Sequence, residues 1–329
     1  MPLTDEVRTS CARIAANARA VRIDLEAAAE VQPVEPPALD PERHYLEGDP
    51  ADVADYMLAL DAINFGSGWF PTLRKRTSEG KPVSGYFTVS WALADHVRAH
   101  GPPTAAWMSQ IGTSEIADIL GQDPASELMS LYAQALRTLG HFLASAPRQP
   151  TKSTQTAQPG PTTSTQTAQP ELPNKCAQPA RRALDLVAES GGSAECLAKL
   201  LAQGMAMFDD HGFYKRAQIV ANDLALAGVA EFHDLDRLTI FADNLVPHVL
   251  RCDGVLVYEE ALAAHIEGGE QLPLGGAERE IRACAVHACE LISQRTGVPA
   301  RTIDTWLWTR GQAPEYKSRP RHRCRTVFY

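Results

Sequence analysis

A single carboxylate stands in an otherwise apolar stretch, LTIFADNLVPHVLR, which runs from residue 238 to residue 251. Burial of such a charge costs several kcal/mol unless a partner compensates it. Pro247 cannot donate a helical hydrogen bond to the residue four positions earlier, Asp243, so the sequence predicts a kink or a new helix start at this aspartate. As an N-cap, Asp243 would be favoured in its ionised form. The segment alone fits a catalytic carboxylate and a structural cap or buried ion pair equally well.

A polar stripe in HGFYKRAQIVANDLALAG offers a partner for this carboxylate. On a helix, Lys215, Gln218 and Asn222 lie at positions i, i+3 and i+7 beside apolar neighbours. Lys215 is suited to neutralise a carboxylate or to bind a phosphate group. A solvated helix face explains the same stripe without any chemistry and is the more common origin of such patterns.

The end of the chain, YKSRPRHRCRTVFY, carries a cation at every second position, namely Lys317, Arg319, Arg321, Arg323 and Arg325. In an extended chain these side chains share one face and form a local cationic strip within an acidic protein. Capture of an anionic substrate and a basic tail without a ligand are both consistent with this pattern.

Composition and missing motifs exclude several classes of protein. The 329 residues carry a net charge of −9, which argues against extended contact with nucleic-acid phosphates. No apolar run approaches a membrane span or a secretory signal, and an odd number of cysteines, seven, without a C-x-x-C pair suits a reducing cytosol. The chain has no G-x-G-x-x-G, P-loop, G-x-S-x-G or H-E-x-x-H motif. Cys284 and His287 in CAVHAC are more simply core residues than half of a metal site, so neither a metal nor an organic cofactor is expected.

The periodicity of the chain predicts an all-α fold, because it is helical almost throughout and strands and helices do not alternate. We expect one multi-helix domain with an N-terminal helical part at residues 1–146 and a C-terminal helical part at residues 181–329 that carries Asp243. Residues 147–180, which contain STQTAQP twice and little apolar surface, are predicted to be a disordered insertion. A tolerated surface insertion explains this segment more simply than a functional tether.

Four local predictions can be compared directly with a structure. Asp49 and Pro50 should be the N-cap and first residue of a helix. The segment GYFTVSWALADHVRAH, residues 85–100, should begin as a short strand and continue as a helix. Ser114 should cap the helix of TSEIADIL. Residues 238–251 should form a buried helix with apolar residues on both faces.

Seven segments, in the same order, resemble the queuosine salvage protein family: HYLEGD, DAINFGSGWF, SGYF, FYKRAQ, LTIFADNLVP, DTWLW and the terminal HRCRTVFY. The resemblance runs from about residue 40 to the end of the chain, and FYKRAQ and FAD before a nearby proline are its most specific parts. It departs at residues 147–180, where no counterpart is recognised, and after Asn64, where GSG separates Phe65 from Trp69.

The resemblance implies an N-glycosidase that hydrolyses queuosine 5′-monophosphate and releases queuine, a 7-deazaguanine base reused in tRNA. It also implies an all-α fold similar to that of the helix-hairpin-helix DNA glycosylases. Asp243 would then be the catalytic carboxylate and Lys215 a substrate-site residue. The partner is a small nucleotide, and no membrane or direct nucleic-acid contact is expected.

The chemistry is consistent with this implication, because cleavage of a ribosidic C–N bond builds positive charge on the sugar. One carboxylate in a dry site can stabilise that charge or attack C1′. A 7-deazapurine has no N7 to protonate, so stabilisation of the cation matters more. The candidates for stacking on the base are Phe65, Trp69 and Phe87, and those for binding the 5′-phosphate are Lys215, His44 and Arg323.

Two alternatives remain open at the level of sequence. One is a glycosidase for another nucleoside or for a base in nucleic acid. The other is a non-catalytic protein that binds a 7-deazapurine or a modified tRNA, which would bind tightly without turnover and be indifferent to Asp243→Asn.

Overall fold

Helices form most of the chain in a computed structural model that describes residues 1–36, 38–145 and 180–329, and the predicted all-α class is confirmed. The predicted disordered insertion, residues 147–180, lies outside the described residues except for residue 180. No helix of the described residues is long and apolar enough to span a membrane. The N-terminal part contains α1 (Leu3–Asn17), β1 (Val21–Ile23), α2 (Leu25–Glu30), α3 (Pro50–Ala62), β2 (Thr77–Ser78), β3 (Lys81–Pro82), α4 (Gly85–His100), α5 (Ala105–Gln110), α6 (Thr113–Leu120) and α7 (Glu127–Ala144).

Within the described residues, the C-terminal part contains eight further α-helices and one short strand. They are α8 (Ala183–Glu189), α9 (Ala194–Gly204), α10 (Lys215–Leu226), α11 (Val246–Cys252), β4 (Leu256–Tyr258), α12 (Glu260–Glu267), α13 (Ala277–Thr296), α14 (Ala300–Arg310) and α15 (Pro314–Lys317).

Contacts between the two parts of the chain build one apolar core. Helix α3 packs against α8 and α10, and α1 packs against α13. Two short antiparallel pairs supplement the helices: β1 pairs with β4, with Val21 opposite Tyr258, and β2 pairs with β3. Buried side chains from both parts belong to a single hydrophobic cluster. Long-range packing of this kind, rather than local propensity, stabilises helices of this length.

The helix starts show which local predictions are correct. Asp49 caps α3 by accepting a hydrogen bond from Ala51 N, with Pro50 as the first helical residue, as predicted. The predicted strand at the start of GYFTVSWALADHVRAH is wrong, because Ser84 accepts a hydrogen bond from Phe87 N and α4 begins directly at Gly85. The predicted cap at Ser114 is also wrong, since α6 begins one residue earlier, at Thr113.

The stretch of residues 238–251 is helical only in its second half. The new helix start predicted near Asp243 is confirmed, because α11 begins at Val246 with Pro247 in its first turn. The helical faces predicted for residues 238–245 are wrong. This part is nevertheless buried, because tertiary hydrogen bonds replace the helical ones: Thr239 N donates to Gln218 Oε1 at 3.0 Å.

Candidate active site

One cavity of about 440 Å³ opens beside Asp243. Its walls come from residues 38–44, the loop that follows α3, the start of α4, helix α10, residues 241–245, helix α14, Arg321 and Tyr329. Small-molecule sites range from about 300 to 1,000 Å³, so a ligand of nucleotide size fits this volume.

Asp243 is half-buried in the cavity wall, and backbone N–H groups fix its carboxylate. Oδ1 accepts hydrogen bonds from Leu245 N at 2.7 Å and Val246 N at 3.0 Å. Within the described parts of the chain no cation forms a salt bridge with Asp243, and Arg251 pairs with Glu267 instead (2.7 Å). The carboxylate is therefore oriented by the backbone and leaves Oδ2 available to a ligand.

A buried arginine outside the cavity lining holds this segment. Arg282 Nε donates to the carbonyl oxygen of Ala242 at 2.8 Å, and its guanidinium forms a two-point salt bridge with buried Asp210. The guanidinium also lies 3.9 Å from the ring centroid of Phe213. Arg282 therefore fixes the backbone of the residue that precedes Asp243.

Lys215 lies in the same cavity and is almost completely buried. Its Nζ donates to the carbonyl oxygen of Asn64 at 3.0 Å. Burial lowers the pKa of Lys215, and the negative charge of Asp243 opposes this effect. Asn222 of the predicted polar stripe also lines the cavity, whereas Gln218 is hydrogen-bonded within the core. The stripe is thus a buried surface, and the solvated-face explanation is wrong.

A second carboxyl, that of Asp304 on α14, lines the cavity without having been singled out by its sequence pattern. Its Oδ1 accepts a hydrogen bond from Phe241 N at 2.8 Å. Burial raises the pKa of Asp304 to about 8, and the charge of Asp243 adds to the increase. Asp304 is therefore mostly protonated at neutral pH. The available signal was the aspartate of DTWLW, but a helix sequence does not tell which face meets a cavity.

Two further carboxyls form an acidic end of the cavity. Asp223 lines it, and Asn222 Nδ2 donates to Asp223 Oδ1 at 3.1 Å. Asp61 is completely buried, outside the cavity lining, and the negative charge of Asp223 acts on it. Burial raises the pKa of Asp223 to about 6 and that of Asp61 well above its usual range. Ionisation of one carboxyl therefore disfavours ionisation of the other.

Aromatic rings line the wall near the start of α4. Phe65 and Phe87, two of the predicted stacking residues, both border the cavity. The sequence did not point to Tyr86 and Trp308, which lie there too, with ring centroids 5.3 Å apart. Phe87 lies 5.4 Å from Trp308, edge to face. The wall therefore offers an aromatic surface for a planar ligand.

The structure does not bring Trp69 to this surface. Its ring is buried elsewhere, and Nε1 donates to Glu127 Oε2 at 2.8 Å. The cause is the glycine turn before it: a Cβ at Gly68 would lie 2.4 Å from the carbonyl oxygen of Cys324, so only glycine allows this approach. The turn directs Trp69 toward α7, and stacking of Trp69 on a bound base is not supported.

His44 lines the cavity, but both of its ring nitrogens are engaged. Nδ1 lies 2.9 Å from the carbonyl oxygen of Asp40, and Nε2 lies 3.0 Å from the hydroxyl of Tyr86. Burial lowers the pKa of His44. A neutral, doubly bonded imidazole is a poor cation for a phosphate group, contrary to the sequence-based expectation.

Four neighbouring cations lie at or near the cavity. Arg43 and Arg321 line it. Partial burial lowers the pKa of Lys317, and the nearby charges of Arg321, Lys75 and Arg43 lower it further. The negative charge of Asp243 acts on Arg321. These four residues are called the cationic end, and both Asp243 and Asp61 of the acidic end act electrostatically on Lys215.

Arg323, the predicted phosphate ligand of the tail, does not line the cavity. Exposure alternates along residues 321–326 as predicted for an extended chain. The side chains nevertheless reach different neighbours: Arg323 donates to the carbonyl oxygen of Gly269 at 2.6 Å, and Arg325 reaches Glu127. Successive cations lie about 7 Å apart in an extended chain, so the segment carries each of them past different neighbours. Of the five tail cations, only Arg321 lines the cavity. The predicted common cationic strip is wrong.

Comparison with known proteins assigns the chain to a family. Residues 174–329 match the family model described as queuosine salvage protein. A Sphaerobacter thermophilus protein named queuosine 5′-phosphate N-glycosylase/hydrolase is 30% identical over 98% of this chain and 97% of its own length. The chain belongs to the queuosine salvage protein family. A Nematostella vectensis protein of the same name is 28% identical over 88% of this chain and 85% of its own, and a mouse protein of that name is 31% identical over 44% and 51%.

The segments that resemble this family converge on the cavity although they are distant in sequence. FYKRAQ contributes Lys215, LTIFADNLVP contributes Asp243, and DTWLW contributes Asp304 and Trp308. SGYF contributes Phe87. The insertion at residues 147–180 contributes none of these residues.

Proposed function

We propose that this chain hydrolyses the N-glycosidic bond of queuosine 5′-monophosphate and releases queuine for reuse in tRNA modification. The names of its relatives support this activity. The observation that carries the proposal is the position of Asp243. It is a backbone-oriented carboxylate, without a salt-bridge partner in the described residues, in the wall of a cavity of nucleotide size.

Asp243 is proposed as the catalytic carboxylate. As the C–N bond breaks, positive charge develops on the ribose, and a fixed carboxylate oxygen stabilises it without reorganisation. The hydrogen bonds to Oδ1 hold the group in place, which leaves Oδ2 to face C1′. Lys215 balances the charge of Asp243 before the sugar cation forms, since each acts electrostatically on the other.

The two ends of the cavity suggest the direction in which the nucleotide binds. A 5′-phosphate suits Arg321, which lines the cavity and is acted on by the charge of Asp243, whereas Arg43 pairs with Asp40 at 3.2 Å. The base then lies beyond Asp243, beside Phe87 and Trp308, where a flat ring system meets aromatic side chains. Phe65 closes the same region from the loop after α3. In this orientation Arg321 replaces Arg323 as the phosphate ligand.

The test is to incubate purified protein with queuosine 5′-monophosphate and to detect free queuine by mass spectrometry, beside Asp243→Asn. We expect release by the wild type and a loss of roughly 10³-fold or more in the variant. Asparagine keeps an acceptor for Leu245 N and Val246 N, so the variant should remain folded and bind the nucleotide. Binding by the wild type without release would support a non-catalytic binding protein instead.

The same samples distinguish two roles of the carboxylate. Attack of Asp243 on C1′ would form a covalent ribosyl 5-phosphate ester, which adds its mass to the intact protein during turnover. Electrostatic stabilisation adds none.

A further inference from the structure

The acidic end of the cavity holds more hydrogen-bond acceptors than donors. Asn222 is only 2% exposed, and within residues 1–36, 38–145 and 180–329 its Oδ1 has no hydrogen-bond partner. Its Nδ2 is used on Asp223, whose carboxylate borders the cavity. The nearest ammonium group, Lys215 Nζ, donates to the carbonyl oxygen of Asn64 rather than to these acceptors. A buried acceptor that remains unsatisfied is costly, so this end is complete only when a ligand brings donors.

We propose that Asp223 and Asn222 bind the donor edge of a guanine-type base, with Asp223 accepting from N1–H and the 2-amino group. This inference rests on the proposed function, because it assigns the base of the nucleotide to the end of the cavity beyond Asp243. A carboxylate takes two parallel N–H donors in one plane, and the guanine edge presents such a pair. An adenine-type edge presents an acceptor at N1 and would leave Asp223 facing a lone pair. The site therefore selects 7-deazaguanine over 7-deazahypoxanthine and 7-deazaadenine.

Asp61 provides a matched partner for testing this role. It is as buried as Asp223 and the charge of Asp223 acts on it, but it does not line the cavity. Asparagine at position 61 has nearly the shape of the carboxyl and removes its charge without changing a residue of the cavity wall. Asparagine at position 223 removes the second acceptor oxygen and places an N–H group against the donors of the base.

The experiment measures binding of free 7-deazaguanine and 7-deazahypoxanthine, which differ only in the 2-amino group, by calorimetry. The wild type should prefer 7-deazaguanine by roughly 10- to 100-fold, the value of a satisfied buried hydrogen-bond pair. Asp223→Asn should reduce the preference to within about 3-fold, while Asp61→Asn keeps it, and Asn222→Ala should weaken it in part. Thermal melting establishes that each variant is folded. Because the wild-type preference is itself a prediction, it tests the inference even if Asp223→Asn does not fold.

Three results would overturn the inference. The first is a wild type that binds both bases equally while hydrolysing queuosine 5′-monophosphate, in which case the proposed function survives alone. The second is Asp223→Asn with an undiminished 2-amino preference. The third requires 7-aminomethyl-7-deazaguanine as an additional ligand. If Asp223→Asn weakened the binding of this base alone, Asp223 would be assigned to the cationic amine of the 7-substituent. A wild type that binds neither base and releases no queuine would instead reject the proposed function.

Discussion

Oδ1 of Asp304 lies 2.8 Å from the backbone nitrogen of Phe241, so a carboxyl on α14 is joined to the segment that carries Asp243. The contact brings two carboxyls into one cavity, where the charge of Asp243 disfavours a second negative charge on Asp304. Their environments differ: backbone N–H groups stabilise Asp243, and burial keeps Asp304 protonated. Pairs of nearby carboxyls in such different environments are typical of sites that break glycosidic bonds.

The first prediction concerns the pH dependence of stability. The pKa of Asp304 is about 8 in the folded protein and 3.8 as its usual value, so the folded state holds a proton that the unfolded state releases between these values. Stability from this group is therefore complete below about pH 4 and is lost as the pH rises toward about 8. Asp304→Asn cannot ionise and should lose less free energy of unfolding over this window, by an amount on the order of several kcal/mol.

Urea denaturation at a series of pH values measures this difference. Asp118, an exposed carboxylate on α6, provides a control, because Asp118→Asn should follow the wild-type curve. Parallel curves for the wild type and Asp304→Asn would contradict the assignment of a protonated Asp304. Asp223 also titrates within this pH range, at a pKa of about 6. Its contribution is present in both proteins, so the difference between the wild-type and Asp304→Asn curves reports on Asp304.

The second prediction is that Arg282 positions the segment of Ala242 and Asp243. Arg282→Lys cannot span Ala242 O and both oxygens of Asp210, so it should lower the free energy of unfolding by roughly 2–4 kcal/mol. Below its melting temperature the variant should lose at least about 10-fold in kcat with little change in KM. The reason is that a displaced carboxylate of Asp243 stabilises the transition state less well, while substrate binding is nearly unchanged.

Arg279 of the same helix provides the matched control. Its guanidinium lies 5.2 Å from the Phe213 ring, which Arg282 also contacts, but its hydrogen bond goes to His211 O at 3.3 Å and not to the segment that carries Asp243. Arg279→Lys should keep kcat. An Arg282→Lys protein that is less stable but has the wild-type kcat when folded would reduce Arg282 to a structural residue.

The sequence predicted those features that depend on neighbouring residues and missed those that depend on tertiary packing. Pro247 excludes a hydrogen bond to residue 243, so the helix start near Asp243 follows from local chemistry. Side-chain patterns that repeat every 3.6 residues likewise predicted α3 and α10. Trp69 and Arg323 were misplaced because a close backbone approach at Gly68 and the path of the terminal segment decide where they point. Asp304 was missed because its chemistry arises only beside Phe241 and Asp243, which are about 60 positions away.

The third prediction separates two of the four arginines of the tail. Arg321→Gln should raise KM for queuosine 5′-monophosphate by roughly 10- to 100-fold, because it removes a charged partner of the phosphate. Cleavage of the free nucleoside, which lacks that group, should be almost unaffected. Arg323→Gln should change neither value, since Arg323 contacts Gly269 away from the cavity. A larger effect at Arg323, or equal losses with nucleotide and nucleoside in Arg321→Gln, would contradict the proposed orientation.

The fourth prediction distinguishes the aromatic residues by stability and by binding. Trp69→Phe deletes the hydrogen bond to Glu127 and leaves space in a buried site, so it should cost about 1–3 kcal/mol of stability without changing KM. Phe87→Leu removes a ring from the cavity wall and should raise KM by roughly 5- to 100-fold, because base stacking contributes about 1–3 kcal/mol. Chemical denaturation and steady-state kinetics on both variants give the comparison. If Trp69→Phe raised KM while Phe87→Leu did not, the base would lie against the loop after α3 instead of the start of α4.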